Sequence, residues 1–303
     1  MLKMKNVQLK IFKQYRCLST AKYDFDKYSL VKPAKAQNTF TGFITDKYSI
    51  GDAPNGGYLV ALALAAGRHC LPFIQPMTVT THFVQKALEN QEVTFQVQVL
   101  NISKSTVTAL ISAHQGNQLK YQVISTFGKA EQKIGKSLCN ETAPVLPPIE
   151  DCIDASKMLR TLGDKLKIAK MIDFRVPKDD PFALTTLKGK TSETGTASAS
   201  GYLRLSDAHP GSINILAFYL DACPPPILNV YPRDWVPTME MTLHFWNAPK
   251  RLPPSEDSGW FRVKFSTTYM QNNLLYTDGE IWEADGSSLL AKSRQMARLF
   301  QPS

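Results

Sequence analysis

The sequence carries the same order of local patterns twice, and this internal repeat limits the possible folds more than any other feature. In the first half, a strand-like run at 38–45 precedes a helix-like run at 56–68. Four runs rich in Val, Thr, Ile and Phe follow, at 79–88, 92–101, 106–114 and 118–127. Their composition and the short polar segments between them predict β-strands joined by turns.

The second half repeats this order. A strand-like run at 199–205 precedes a helix-like run at 210–222, and four further strand-like runs follow at 238–247, 260–269, 275–283 and 288–300. The sequence TTHF at 80–83 resembles TLHF at 242–245, and QGNQL at 115–119 resembles DGSSL at 285–289. The offset between the copies is roughly 160 to 170 residues, so the repeat predicts two domains of one type.

The helix-like run at 56–68 indicates how each domain is organised. It is rich in Ala and Leu, and it follows Asn55, a residue type that caps the free N–H groups at a helix start. The run is apolar on nearly every side, so other parts of the protein must surround it. A central helix wrapped by a curved antiparallel β-sheet, present twice in tandem, is an α+β double hot-dog fold.

The remaining segments set the expected domain boundaries. We expect the first domain at 24–138 and the second at 171–303. Residues 139–170 carry three prolines followed by a polar stretch, and this composition is typical of a linker.

Residues 1–23 differ in charge from the rest of the chain. They hold six basic side chains and no acidic one, while the net charge of the whole chain is +9. A basic, acid-free start with Leu2, Val7, Ile11 and Phe12 as an apolar face is typical of a mitochondrial targeting leader. A disordered basic tail and an ordered extra element are the alternatives, and without a leader we expect a cytoplasmic protein. The remainder is nearly balanced in charge, so we expect no nucleic-acid partner.

Neither a disulfide framework nor a metal site is predicted. The five cysteines are odd in number and never spaced as C-x-x-C, and no His, Glu or Cys cluster has the spacing of metal ligands. No stretch approaches the roughly 20 apolar residues of a membrane span, so we expect no stable insertion into a bilayer. The motifs G-x-S-x-G and G-x-G-x-x-G and a phosphate-binding P-loop are absent from the sequence. Their absence argues against serine hydrolases, dinucleotide enzymes and NTPases.

Five motifs, in this order, resemble those of one known family. They are PNGGY at 54–58, PMTVTTHFVQKA at 76–87, PTMEMTLHFWN at 237–247, DGEIW at 278–282 and AKSRQMARL at 291–299. Together they resemble the thioesterase-like superfamily of type II acyl-CoA thioesterases over nearly all of residues 38–300. The resemblance implies a double hot-dog enzyme that hydrolyses fatty-acyl-CoA with an activated water and needs no cofactor.

The resemblance also implies three catalytic residues, all in the second half. Asp221, at the end of the second helix, matches the acid of the family, Thr238 matches its hydroxyl residue, and Gln295 matches its glutamine. Their chemistry suits the task, because a buried carboxylate with a raised pKa can take a proton from water. Thr238 and Gln295 each offer a donor and an acceptor, so both can orient that water.

The first half is expected to contribute the start of its helix. Gly56, Gly57 and Tyr58 carry N–H groups there, and such groups can stabilise the oxyanion that forms from a thioester carbonyl. On this interpretation Gly57 lets the substrate approach the backbone, and we expect Gly57→Val to stop turnover in a folded protein. The alternative is that the glycine pair serves only close helix packing.

The two halves differ where the site is expected. At the repeat offset, Asp221 corresponds to a position near Ala66 and Gln295 to one near Ser125, so the first half lacks the acid and the amide. We therefore expect one composite site with acyl-CoA as its substrate. Two other functions stay open: an acyltransferase on the same fold, and a non-catalytic protein that binds acyl-CoA or lipid. A homo-oligomer is also compatible with the sequence.

Overall fold

A computed structural model describes residues 22–129, 135–187, 196–250 and 258–301. The predicted leader lies outside these residues except for its last two, Lys22 and Tyr23. The ring of Tyr23 lies 4.5 Å from that of His209, so Tyr23 already packs on the second half of the chain.

Four α-helices and fifteen β-strands occur in the described residues. The helices are α1 Asp24–Tyr28, α2 Gly56–Cys70, α3 Ala155–Arg160 and α4 Ile213–Tyr219. The strands of the first half are β1 Val31–Pro33, β2 Thr39–Ile44, β3 Ser49–Ile50, β4 Ala53–Pro54, β5 Gln75–Phe83, β6 Gln91–Ile102, β7 Thr106–Gln115 and β8 Gln118–Gly128. Those of the second half are β9 Ile153–Asp154, β10 Ile172–Val176, β11 Ser198–Leu205, β12 Thr238–Phe245, β13 Phe261–Gln271, β14 Leu274–Glu283 and β15 Leu289–Arg298. Short helical turns lie at Asp46–Tyr48, Ile149–Asp151, Gly163–Lys170, Ala183–Leu187 and Pro226–Asn229.

Thirteen of the strands form one antiparallel sheet that runs through both halves. Its order is β1-β2-β6-β7-β8-β5-β12-β15-β14-β13-β11-β10-β9, and β3 pairs with β4 separately. The halves meet where β5 pairs with β12, with Thr80 opposite Thr242 and their hydroxyl oxygens 3.3 Å apart. The strand order outward from this pair is the same on both sides, β5-β8-β7-β6-β2 and β12-β15-β14-β13-β11, so the two copies are related across it.

The two central helices pack against each other and are enclosed by the sheet and its loops. Burial alternates along the strands, as in β7, where every second residue is buried. In α2, by contrast, nearly every residue from Gly57 to Gly67 is buried, which explains why its sequence is apolar on all sides. The predicted double hot-dog fold is confirmed. At 15 residues α2 is the longest described helix, and none in that part of the chain is long and apolar enough to cross a bilayer.

The structure differs from the predicted elements in α4, in the expected linker and in β10. Helix α4 is shorter than the run predicted at 210–222, because Gly211 has a φ of +96° and the helix starts only after Ser212. The expected linker at 139–170 contains β9 and α3, and the buried Ala155 and Leu159 attach α3 to the second half. These elements are too short to produce a periodic sequence pattern, and β10 was missed for the same reason.

Candidate active site

The start of α2 and the end of α4 meet at very short distance. Gly57 makes this possible, since a Cβ atom there would lie 2.4 Å from the carbonyl oxygen of Ala217 and 3.0 Å from the Cα atom of Phe218. Any side chain larger than hydrogen would push the helices apart. Asp221 follows the C-cap residue Leu220 of α4, so this contact brings its carboxylate to the first N–H groups of α2.

Two groups of the first half hold the Asp221 carboxylate. The backbone N–H of Gly57 donates to Oδ2 at 3.0 Å, and the Asn55 side-chain amide donates to the same oxygen at 2.9 Å. The Asn55 amide also donates to the main-chain carbonyl of Asp221 at 2.6 Å. An anion at a helix start is further stabilised by the helix dipole. The acid of the second half is therefore bound by the helix of the first.

The surroundings of Asp221 make it an unusually basic carboxylate. Burial raises its pKa to about 6, although hydrogen bonds from the Gly57 N–H, the Gln295 side chain, the Gly56 N–H and Asn55 all act to lower it. Burial dominates because it penalises the charged form, whereas each donor stabilises that form. The carboxylate is thus ionised near neutral pH and still accepts a proton readily.

Thr238 and Gln295 lie beside Asp221 on adjacent strands. Thr238 begins β12 next to a β-bulge, and its hydroxyl donates to Oε1 of Gln295 at 2.9 Å. Gln295, on β15, is buried and donates from Nε2 to the carbonyl of Leu220 at 3.0 Å. The glutamine therefore connects Thr238 to the residue immediately before Asp221. The structure brings the three residues together, and their catalytic role stays a prediction.

The start of α2 is used differently from what the sequence predicted. The N–H of Gly57 was expected to face a substrate carbonyl, but it donates to Asp221 instead. A Cβ atom at Gly56 would lie 2.8 Å from Cζ of Phe83 and 3.0 Å from Oδ2 of Asp221, so this residue also allows close packing. The expectation that Gly57→Val stays folded does not fit the contact with α4.

Tyr58 also lies away from the carboxylate. Its side chain is fully buried, and its hydroxyl donates to the carbonyls of Tyr28 at 2.8 Å and Phe43 at 3.2 Å. These bonds attach α2 to the end of α1 and to β2. The tyrosine is a core residue, and we assign it no contact with substrate.

Sequence reasoning missed the part played by Asn55. The sequence showed a helix cap, and its Oδ1 does accept the N–H of Tyr58 at 2.9 Å. The sequence did not indicate what the N–H₂ group of Asn55 would bind. Asn nevertheless differs from the other good caps in having this group as well as an oxygen. That group makes both contacts with Asp221.

Two other titratable groups, Cys223 and Asp180, lie near Asp221. Burial raises the pKa of Cys223, and the charges of Asp221 and Asp180 add to that effect. Asp180 accepts hydrogen bonds from the backbone N–H groups of Phe182 and Ser200, each at 2.9 Å. These bonds fix the loop that contains Asp180 against β11. No group of three His, Cys, Asp or Glu side chains within the described residues could hold a metal ion.

Comparisons with known proteins identify the family and the fold. The family model named acyl-CoA thioesterase N-terminal domain matches residues 44–128, and the one named acyl-CoA thioesterase C-terminal domain matches residues 150–299. A solved structure assigned as a thioesterase II from Thermobifida fusca is 21% identical, with a TM-score of 0.78 over 93% of this chain and 99% of that chain. The acyl-CoA thioesterase II TesB2 from Mycobacterium marinum is 16% identical, with a TM-score of 0.67 over 92% and 99%.

A third similar structure has a known fold but an unknown function. It is a conserved protein of unknown function with a hot-dog fold from Alicyclobacillus acidocaldarius, 19% identical, with a TM-score of 0.74 over 93% of this chain and 99% of that one. At such identities the solved structures show a shared fold. No curated protein matches the chain.

Proposed function

Because the chain belongs to the family of type II acyl-CoA thioesterases, we propose that it hydrolyses a fatty-acyl-CoA to a free fatty acid and CoA. The family alone leaves the chemistry open. The observation that carries the proposal is the partly buried Asp221 carboxylate, with a pKa raised to about 6, beside the hydroxyl of Thr238 and the amide of Gln295. This arrangement supports the activation of one water molecule.

In the proposed mechanism Asp221 is the general base. Its Oδ2 accepts hydrogen bonds from Gly57 and Asn55, so Oδ1 is the oxygen we assign to the water proton. As the proton moves to Oδ1, the water oxygen forms a bond to the thioester carbon. The carbon–sulfur bond then breaks, and CoA leaves as a thiolate that takes the proton from Asp221. A base with a pKa near 6 suits both proton transfers.

Gln295 holds the base in place, and Thr238 orients the attacking water. Gln295 donates to the carbonyl of Leu220, and its side chain also donates to Asp221. The hydroxyl oxygen of Thr238 donates its hydrogen to Gln295 and can accept one from the water. These bonds fix the direction of the water relative to the base, which lowers the entropic cost of reaching the transition state.

The direct test is release of free CoA from purified protein. Acyl-CoAs from short to long are incubated with the protein and a thiol reagent, with no alcohol or amine added as an acceptor. We expect thiol release for at least one chain length. If release appears only when an acceptor is added, the protein is an acyltransferase. If a thioether analogue of acyl-CoA binds but no thioester is cleaved under any condition, the protein is a binding protein.

We also propose that residues 1–23 direct the protein to mitochondria. The support is the composition of this segment, which holds six basic side chains and no acidic one. Residues 1–25 fused to a fluorescent reporter should carry it to mitochondria. The same fusion with its basic residues replaced by Ser is the control and should stay diffuse. A diffuse signal from the unaltered fusion would contradict the proposal.

A further inference from the structure

Asn55 lies between the two halves and uses both ends of its amide. It is 3% exposed. Its Oδ1 accepts the N–H of Tyr58 within its own helix, while its Nδ2 donates to two oxygens of Asp221. One side chain therefore caps the start of α2 and binds Asp221, which follows the C-cap residue of α4.

The two Nδ2 contacts hold different parts of Asp221. The bond to the main-chain carbonyl fixes the backbone at the end of a helix, where carbonyls lack partners within the helix. The bond to Oδ2 fixes the rotation of the carboxylate about its side-chain torsion. With both constraints, Oδ2 points to α2 and Oδ1 is turned away from it.

A cap alone does not require asparagine. Ser and Asp cap a helix start about as well as Asn does. Neither can give two hydrogen bonds while accepting one, because only the amide of Asn combines an acceptor with an N–H₂ group at this side-chain length. The choice of Asn at this cap is explained by Asp221 rather than by the helix.

We propose that Asn55 is a positioning residue that holds the Asp221 carboxylate with Oδ2 toward α2 and Oδ1 toward the reacting water. The proposal rests on the proposed function, because it concerns the same site. Asn55 touches the base and not the substrate, so its effect is on the rate of the chemical step and on the proton affinity of Asp221.

The test compares two cap-preserving variants with one control. Asn55→Ser and Asn55→Asp both keep an oxygen for the N–H of Tyr58, but Ser has only one O–H donor and an ionised Asp has none, so neither can make both donations to Asp221. Ser212→Ala is the control, since Ser212 caps α4 by accepting the N–H of Ile215 and lies at the opposite helix end. The titratable groups near Asp221, Cys223 and Asp180, stay unchanged in all three proteins.

We expect the Asn55 variants to lower kcat by roughly 10- to 100-fold, the effect of losing a hydrogen bond to a charged group, with KM changed much less. Loss of a donor favours the protonated carboxylate, so the acid limb of the activity profile should move to higher pH. Asn55→Asp should move it further, because two adjacent carboxylates resist ionising together. Ser212→Ala should leave kcat and the acid limb of the pH profile unchanged.

The unfolding equilibrium separates this proposal from the proposed function. The difference in unfolding free energy between pH 5 and pH 8 reports the proton affinity of Asp221 without substrate. In Asn55→Ser this difference should exceed that of the wild type, and adding Asp221→Asn should abolish the excess. If the wild type cleaves no thioester but the excess is found, only the proposed function fails. If the wild type is active and Asn55→Ser keeps its kcat and pH profile, the positioning role is overturned.

Discussion

The two ends of the helix pair α2 and α4 are built from equivalent positions but have different chemistry. Gly57 and Asn214 each lie two residues after the cap of their helix. At the first end, Gly57 lets the helices touch and its N–H binds Asp221. At the second end, Asn214 carries a side chain whose Oδ1 accepts a hydrogen bond from Arg68 at 3.3 Å. The repeated fold therefore supplies two similar places, and only one of them holds an acid.

The difference extends to the sheet beside each helix end. Gln295 lies in the strand next to β12 and reaches the end of α4. Ser125, at the related place in β8, donates to the carbonyl of Thr78 in the adjacent strand at 2.9 Å and so serves the sheet itself. Burial lowers the pKa of Arg68, but its guanidinium has no capacity to act as a base near neutral pH. Under the proposed mechanism, the group that accepts the proton therefore lies at the first end.

The largest expected effect comes from removing the acid. Asp221→Asn keeps the shape of the side chain and one acceptor oxygen for Gly57 and Asn55 but removes the base, so turnover should fall about 100- to 10,000-fold. Binding of a thioether analogue, measured by calorimetry, should change little. Arg68→Gln at the other end is the matched control and should retain turnover. If Arg68→Gln lost activity as severely, the second end would be part of the site and the comparison would be broken.

The next effect concerns stability. Gly57→Ala places a methyl group against the carbonyl of Ala217, which cannot move without displacing α4. The free energy of unfolding, measured by urea denaturation, should therefore fall by at least about 2 kcal/mol. Gly67→Ala, near the other end of α2, is the control. There the added Cβ atom meets the tips of Phe127 and Ile111 at 3.0 and 3.1 Å, and Ala gains about 1 kcal/mol in helix propensity. Equal losses at both positions would show that the close contact at Gly57 is not special.

The pH dependence of stability sharpens the same contrast. The folded pKa of Asp221, about 6, lies above its ordinary value of 3.8, so its contribution to stability is present at low pH and is lost as pH rises through 6. Asp221→Asn removes this loss and should raise the unfolding free energy at pH 8 by about 1 to 3 kcal/mol. At pH 4 the two proteins should be nearly equal. Wild-type turnover should fall about tenfold per pH unit below 6, and a stability gain independent of pH would be inconsistent with a raised pKa.

The smallest expected effect comes from the hydroxyl beside the glutamine. Thr238→Val removes one bond to Gln295 and one potential contact with the water, so kcat should fall about tenfold. Thr242→Val on the same strand is the control. Its hydroxyl bonds to Glu240 and Thr80, away from the site, so kcat should be retained. A similar kcat for both variants would remove Thr238 from the mechanism.

The sequence predicted the fold well because the repeat and its periodic patterns are local properties. The helix α2 and the long strands follow from runs of apolar and β-branched residues. The meeting of Asp221, Thr238 and Gln295 was expected from the family resemblance and not from any spacing along the chain. The short elements β9, α3 and β10 were missed because a few residues give no clear period.

The contacts between helix ends were beyond sequence reasoning. A pair of glycines permits close approach of a substrate and of another helix alike, and the sequence alone does not distinguish the two. The structure shows that α4 packs against Gly57. In the same way, the cap at Asn55 was visible, but its second function depends on a residue 166 positions later.

The pairing of β5 with β12 has a consequence for how this molecule can change over generations. Two separate identical chains meeting at such a seam would carry every substitution twice, once at each helix end. An end that needs glycine and an end that needs aspartate would then both have to be kept in every copy. In one continuous chain, with Thr80 and Thr242 at the seam, each substitution occurs once. One end can thus acquire Arg68 and Asn214 while the other keeps its acid, so the two ends can evolve independently.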